Sequence, residues 1–149
     1  MKIVLKTKVE GHFKSVFNDF DLELFEYLKP SIGKMEIVEF GGSTVGSKVH
    51  MRFLSPIKAD WISNITDRQI GEKQAFFIDE GVTLPPGMSY WHHKHIVRYV
   101  SENESEIIDD ITYRGNNFIL SVLLYPGLLI GFLPRIRQYK RFFRNRLSN

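Results

Sequence analysis

Three of the five histidines in this chain lie within four positions, in the segment SYWHHKHIVRYV (residues 89–100), directly after Trp91. Imidazole nitrogens bind metal ions, and they accept or donate protons near neutral pH. Tryptophan adds a large apolar ring with one hydrogen-bond donor. The segment therefore indicates a metal site, an acid/base centre, or a strand whose polar side chains line a pocket.

The alternation of a β-strand separates these histidines onto two faces. Side chains two residues apart share a face, which groups Trp91, His93, His95 and Tyr99 together and leaves His92 on the other side. The face with His92 also carries a lysine and an arginine, which favour solvent. We expect the face with Trp91 to point inward.

A hairpin gives this strand a partner. The segment SENE (residues 101–104) suits a four-residue loop, which would place His95 opposite Asp110 and His93 opposite Thr112. An inward face with these groups is too polar for a dry core, because buried imidazoles and carboxylates need partners. It is typical of the wall of a wet pocket.

Three interpretations of this cluster stay open. A zinc ion would need His93, His95 and Asp110 to converge on one point, but such strand neighbours are common without a metal. A His95–Asp110 pair could act as a general base, because a carboxylate holds the imidazole in one tautomer. The pair could also satisfy its own hydrogen bonds while it orients a ligand, which is the interpretation we favour. We expect no metal and no cofactor.

The elements that position these residues follow from apolar periodicity. Residues 2–10 alternate as a strand does, and apolar residues three and four apart in residues 12–28 predict two short helices. Six further strands are predicted at KMEIVEF, SKVHMRF, DWISNITDRQI, QAFFIDEGV, YWHHKHIVRYV and SEIIDDITYR. Short connections favour an antiparallel meander, so we expect a single α+β domain over residues 1–149 with a seven-stranded curved sheet.

A long C-terminal helix is predicted to lie across this sheet. Its apolar stripe consists of Phe118, Val122, Tyr125, Leu129, Phe132, Ile136, Tyr139 and Phe143. Pro126 and Pro134 each remove a backbone donor and should bend or interrupt the helix, and we expect a break near the YPG segment at Pro126. Trp61, Ser63, Phe77 and Asp79 could join the pocket wall from neighbouring strands. For Asp79 and Glu80 we favour rim or surface charges over catalytic acids.

Composition and charge exclude several classes of protein. The 149 residues contain no cysteine, which excludes disulfides and thiolate nucleophiles and suits a reducing cytoplasm. The start MKIVLKTKVE lacks the apolar run of a signal peptide, so we expect a cytoplasmic protein.

The basic residues are concentrated near the C terminus, at Arg135, Arg137, Lys140, Arg141, Arg144 and Arg146. Without these six the chain carries 14 basic and 17 acidic side chains, so we expect no nucleic-acid partner. The preceding apolar run, FILSVLLYPGLLIGFL, is shorter than the roughly 20 residues that cross a bilayer. The basic helix end could still contact an anionic membrane weakly.

Motifs and element order together resemble the START-like superfamily, also called SRPBCC, and within it the bacterial ligand-binding and polyketide-cyclase-like branch. Its Pro-Gly and Trp-x-His-x-His motif is matched by LPPGMSYWHHKH at Trp91, His93 and His95. IIDDITY resembles its Asp-x-x-Tyr strand at Asp110 and Tyr113, and GFLPRIRQYKRFF resembles its aromatic and basic helix end. The resemblance implies a helix-grip fold with a mainly apolar cavity, but it does not imply one chemistry.

These observations predict binding of a small hydrophobic or aromatic molecule. The expected ligand-binding residues are Trp61, Phe77, Trp91, His93, His95, Tyr99, Asp110, Thr112, Phe118, Val122, Tyr125 and Leu129. One alternative is a cyclase or dehydratase in which His95 and Asp110 form the catalytic base. A second alternative is lipid binding or transfer at an anionic membrane surface.

Overall fold

The computed structural model describes residues 1–30 and 32–148. In chain order its elements are β1 (Lys2–Glu10), α1 (Phe13–Asn18), α2 (Leu22–Tyr27), β2 (Lys34–Phe40), β3 (Lys48–Ser55), β4 (Ala59–Ile70), β5 (Gln74–Thr83), β6 (Met88–Ser101), β7 (Glu104–Gly115), α3 (Phe118–Phe132) and α4 (Arg135–Leu147). The seven strands form one antiparallel sheet in the order β1-β7-β6-β5-β4-β3-β2. The predicted α+β helix-grip architecture, with two short helices after the first strand, is confirmed.

Polar side chains cap the N-termini of two of the helices. Asp21 accepts a hydrogen bond from the backbone N–H of Leu24 at 3.0 Å at the start of α2, and Asn117 accepts one from Leu120 at 2.9 Å at the start of α3. These bonds satisfy N–H groups that have no partner within the helix. The helix starts are therefore encoded locally.

Two apolar clusters fill the space between the sheet and the helices. Helices α1, α2 and α4 cover the first cluster, which includes Phe13, Phe17, Leu24, Phe77, Val97, Tyr139, Phe142 and Phe143. Helix α3 covers the second cluster, which includes Ile3, Trp61, Met88, Trp91, Ile111 and Tyr113. The C-terminal helical segment therefore connects the two clusters.

The C-terminal helix is interrupted at Leu133 and Pro134, as expected for Pro134, and not at the YPG segment; both residues keep helical backbone angles. Pro126 lies inside α3, whereas Pro134 precedes α4. Both parts of α3 that flank Pro126 are held against the sheet: the Tyr113 hydroxyl donates to the carbonyl of Ser121 at 2.9 Å, and Phe132 packs against the second cluster. These contacts hold the helix together although Pro126 removes one backbone hydrogen bond, so the predicted break there is wrong.

Helix α3 approaches β7 closely at Gly115. The Gly115 N–H donates to the hydroxyl of Ser121 at 2.8 Å, and a Cβ atom at Gly115 would lie 2.6 Å from the Ser121 nitrogen. A side chain at this position would therefore push the helix away from the strand. This contact fixes how α3 sits on the sheet.

The hairpin between β6 and β7 has a shorter loop than predicted. Strand β6 ends at Ser101 and β7 begins at Glu104, so two residues form the turn in place of four. A bulge lies between Tyr99 and Ser101. Such a bulge adds one residue to one strand and shifts the pairing beyond it.

That shift changes the acidic partner of the histidines. His95 lies opposite Asp109, and His93 lies opposite Ile111. A shift of one residue turns every side chain of a strand to the other face. The predicted pairing of His95 with Asp110 is therefore wrong.

Asp110 and Thr112 lie on the outer face of the sheet. The Oδ1 atom of Asp110 is 3.1 Å from the Nζ atom of Lys2 on β1, and Thr112 lies opposite His92. Because inner and outer side chains alternate along β7, neither residue lies on the face that covers the core. Their predicted roles in the site are corrected accordingly.

Candidate functional site

A partly open cavity of about 230 Å³ lies between the sheet and the helices, where the two apolar clusters meet. Its apolar wall includes Phe20, Leu24, Phe25, Met35, Met51, Phe53, Trp61, Phe77, Trp91, Leu128 and Phe132. Its polar wall includes Asp79, His93, His95, Arg135 and Tyr139. The cavity thus combines a large apolar surface with a small set of ionisable groups.

Several residues that the sequence assigned to ligand binding do line this cavity: Trp61, Phe77, Trp91, His93 and His95. Leu129 packs against the second cluster next to them. Tyr99 lies further along the inner face of β6, where its ring meets Phe13 edge-on and its hydroxyl donates to Glu102 at 3.1 Å. Tyr99 therefore belongs to the core under α1, which corrects its predicted role.

The predicted helix positions Phe118, Val122 and Tyr125 lie outside the cavity. Their side chains are 80%, 44% and 37% exposed on the outer side of α3, while Leu128 and Phe132 face the sheet. Helix α3 is apolar on all sides, so its periodicity does not indicate which side is buried. The contact between α3 and β7 at Gly115 determines which side is buried.

Two buried carboxylates hold the inward histidines. Asp79 on β5 accepts hydrogen bonds from Nε2 of His95 at 2.7 Å and from the indole N–H of Trp91 at 2.8 Å. Asp109 on β7 lies 3.0 Å from Nε2 of His93. The two imidazole centroids are 3.6 Å apart. Strand β6 thus supplies the rings, and both neighbouring strands supply an acid.

Asp79 is a residue of the cavity wall, which is the less favoured of the two positions expected from the sequence, and it is not a rim charge. Its side chain is 15% exposed, and that of Asp109 is 2% exposed. The strand period could have indicated Asp79, because Ala75 and Phe77 on the same face are buried. Asp109 could not be distinguished from Asp110 without the register.

The carboxylates of the site stay charged at neutral pH. Burial alone would raise the pKa of Asp79, but the hydrogen bond from His95 and the other groups around it lower that pKa to about 2. Burial likewise opposes ionisation of Asp109, yet the hydrogen bond from His93 and the charge of Arg135 lower its pKa. Two negative charges therefore face one guanidinium group in this part of the cavity wall.

His95 is neutral at pH 7. Burial and the neighbouring His93 lower the pKa of His95 to about 4, against the opposing effect of the Asp79 hydrogen bond. Since Nε2–H donates to Asp79, Nδ1 carries the free lone pair. Nδ1 lies 3.7 Å from Oδ1 of Asp109 and has no hydrogen-bond partner in the described part of the chain.

Two more buried polar atoms of the cavity wall lack a partner within residues 1–30 and 32–148. They are the indole nitrogen of Trp61 and the Nε atom of Arg135, whose guanidinium group lies 4.2 Å above the Phe132 ring. A buried polar group without a hydrogen bond costs about 1–3 kcal/mol. Three residues that line the cavity therefore each contain a buried polar atom without a partner: two donors, at Trp61 and Arg135, and one acceptor, at His95.

The residues that could hold a metal ion are Asp79, His93 and His95. One donor atom from each lies within 4.8 Å of the other two. Ligands about 2.1 Å from a zinc ion are about 3.4 Å apart in a tetrahedron, whereas Oδ2 of Asp79 and Nε2 of His95 are 2.7 Å apart. Hydrogen bonding accounts for this geometry without an ion.

Solved structures similar to this chain include two enzymes. Truncated norcoclaurine synthase from Thalictrum flavum matches 93% of this chain and 89% of its own, at 14% identity and a TM-score of 0.69. The same synthase in complex with dopamine and hydroxybenzaldehyde matches 91% and 83%, at 17% identity and 0.63. The Zhui aromatase/cyclase from a Streptomyces species matches 99% and 95%, at 11% identity and 0.66.

The chain therefore shares the helix-grip fold of these proteins. No family model matches the sequence, and no curated protein matches it. At identities of 11–17% the structural likeness defines the fold. The function has to be argued from the site, because one fold supports many activities.

Exchanging each of the adjacent acids of β7 for its amide tests the register. We expect Asp109→Asn to lower the free energy of unfolding by about 2–4 kcal/mol, because it weakens a buried charged hydrogen bond. Asp110→Asn should cost less than about 1 kcal/mol, because it removes an exposed ion pair. Urea denaturation followed by tryptophan fluorescence measures both. The reverse order of effects would contradict the register.

The lowered pKa of His95 predicts a pH dependence of stability. Between about pH 6.5 and pH 4 the unfolded chain binds a proton at His95 that the folded chain does not. The free energy of unfolding should therefore fall as the pH falls through this range. Urea denaturation at several pH values should show a shallower fall for His95→Gln, whereas the outer-face control His92→Gln should retain the slope. An unchanged slope in His95→Gln would refute a neutral His95.

Proposed function

We propose that this protein binds a small, neutral aromatic molecule in the cavity between the sheet and the C-terminal helices. The observation that carries the proposal is a mainly apolar cavity of about 230 Å³ whose wall contains buried polar atoms without partners. A protein cavity of about 150 Å³ holds benzene. The space therefore suits one aromatic ring with substituents, or two fused rings.

Apolar contacts would supply most of the affinity of such a ligand. Removal of apolar surface from water contributes about 25 cal/mol per Å². The rings of Trp61, Trp91 and Phe132 provide flat surfaces against which an aromatic ring packs well. This supports an aromatic ligand over a flexible aliphatic chain of the same volume.

The polar groups of the cavity wall would orient the ligand. A carbonyl or hydroxyl oxygen could accept from the N–H groups of Trp61 or Arg135, and a hydroxyl could donate to Nδ1 of His95. An anionic group would meet the carboxylates of Asp79 and Asp109, which outnumber Arg135. We therefore propose a neutral ligand with one hydroxyl or carbonyl group.

Two comparisons support an aromatic ligand, and the first of them supports this size class. Norcoclaurine synthase, which shares the fold, has been solved in complex with dopamine and hydroxybenzaldehyde, and both are single-ring aromatic molecules. The Zhui protein, which also shares the fold, is an aromatase/cyclase. Binding of a small metabolite also agrees with the cytoplasmic location that the sequence predicts.

A substitution that fills the cavity should abolish binding. We expect the wild type to bind 2-naphthol, a fluorescent two-ring phenol, and Leu128→Trp to bind it at least about tenfold more weakly, because the larger side chain intrudes into the space that the ligand needs. The control Leu123→Trp adds the same side chain to the exposed side of α3. Fluorescence titration measures all three proteins.

Equal loss of binding in both variants, or no binding by the wild type, would contradict the proposal. Native mass spectrometry of the protein purified from its own host provides an independent test. A retained aromatic molecule would support the proposal and identify the ligand. A retained fatty acid or phospholipid would overturn the aromatic class.

A proton-transfer enzyme of the cyclase or dehydratase type is a second candidate. The observation in its favour is the 2.7 Å hydrogen bond between Asp79 and His95 on the cavity wall, which replaces the predicted pair with Asp110. A general base works best when its pKa lies near the working pH. With a pKa of about 4, His95 is a weak base, and for this reason we favour binding over catalysis.

The two candidates differ in one measurable reaction. Acetophenone is a single-ring ketone whose methyl protons exchange with deuterated water when a base removes them. On the binding proposal, NMR should show that exchange with the protein is no faster than in buffer. Acceleration by the wild type that disappears in both His95→Gln and Asp79→Asn would establish the enzyme instead. Circular dichroism verifies that the variants are folded.

A further inference from the structure

The outer side of α3 is an exposed apolar surface. Its members are Phe118, Ile119, Val122, Leu123, Ile130 and Leu133, with side chains 44–80% exposed. At 100° per residue these positions fall within one arc of about 140°. Soluble monomers rarely expose a contiguous apolar patch of this kind unless a partner covers it. We call this surface the apolar face.

The outer side of α4 is basic. Its exposed cations are Arg137, Lys140, Arg141 and Arg144. Leu133 and Pro134 keep helical backbone angles between α3 and α4, so helical periodicity places these cations on the same side as the apolar face. We call this surface the basic face. The sequence contains no acid after Asp110, so the two faces carry no negative side chain.

The other two predicted basic contacts have partners inside the protein. Arg135 lines the cavity. The guanidinium group of Arg146 lies 2.6 Å from the carboxylate of Glu23 and 3.3 Å from that of Asp19. These two residues are therefore removed from the predicted membrane contact, which leaves the four cations of the basic face. One of the four, Arg144, also has an exposed acid beside it, because its Nε atom lies 3.5 Å from Oε1 of Glu10.

We propose that the apolar face and the basic face together dock on the surface of an anionic lipid membrane. Apolar side chains enter the boundary between headgroups and acyl chains, and neighbouring lysines and arginines attract anionic headgroups. A second copy of the chain matches the surface less well. It would bring its own basic face to a surface whose members include no acid, and the nearby Glu10 already pairs with Arg144.

The helix lies on the membrane and does not cross it. Residues Phe118–Leu147 are long and apolar enough to span a bilayer by length and composition. However, the inner side of α3 is bonded to β7 through Ser121, and Leu128 and Phe132 form part of the cavity wall. Spanning would break these contacts and open the cavity. Docking by the outer side keeps them and does not depend on what the cavity binds.

Vesicle co-sedimentation of the full chain tests the proposal. We use vesicles of phosphatidylcholine with about 30% phosphatidylserine and vesicles of phosphatidylcholine alone. The wild type should bind the anionic vesicles at least about tenfold more than the neutral ones. Raising the salt from about 0.1 M to about 0.5 M should reduce this binding several-fold, because the headgroup attraction is screened.

Two double variants separate the two faces. Ile119→Asp with Leu123→Asp places charge on the apolar face, and Lys140→Glu with Arg141→Glu reverses two charges of the basic face. Each should lose at least about tenfold of the vesicle binding. The control Val82→Asp changes an apolar residue that is 63% exposed on β5, and a second control changes the exposed Lys6 and Lys58 to Glu.

Several results would overturn the proposal: no binding of the wild type to anionic vesicles, binding that salt does not weaken, or equal loss in the controls. A dimer in light scattering that becomes monomeric in the Ile119→Asp, Leu123→Asp variant, without vesicle binding by the wild type, would show that a second copy covers the apolar face. All variants should still bind 2-naphthol, so failure of docking is distinguishable from failure of ligand binding.

Discussion

Asp79 and Asp109 each carry a negative charge into the interior, where an unpaired carboxylate would be strongly destabilising. They are tolerated because β6 places His93 and His95 between them and because Trp91 donates to Asp79. These hydrogen bonds join three neighbouring strands at one level of the sheet. The polar wall in the apolar interior therefore depends on the register of β5, β6 and β7, because that register brings the acids and the histidines together.

The cavity exists because the C-terminal helix is divided between two apolar clusters. Helix α3 packs on one cluster and α4 on the other, with the break at Pro134 between them. The polar wall lies at this boundary, where Arg135 and Tyr139 at the start of α4 approach Asp109. Unpaired polar atoms there are costly in an empty cavity, which is consistent with a site that binds a ligand.

The two sides of helix α3 face different surroundings. Its inner side closes the cavity through Leu128 and Phe132, and its outer side forms an apolar surface that no described residue of the chain covers. This explains why the helix is apolar on all sides although it belongs to a fold with a single sheet. A helix that faced only the sheet and water would be apolar on one stripe.

The sequence by itself determined the elements, their order, and the grouping of Trp91, His93 and His95 on one face. Strand alternation, helical periodicity and turn residues act between neighbours in the chain, so they can be recognised without the fold. Tertiary structure alone decided that Asp109 and not Asp110 points inward, because a single bulge near Tyr99 sets the register. It also decided which side of α3 is buried, because that side is selected by contact with β7 and not by the helix itself.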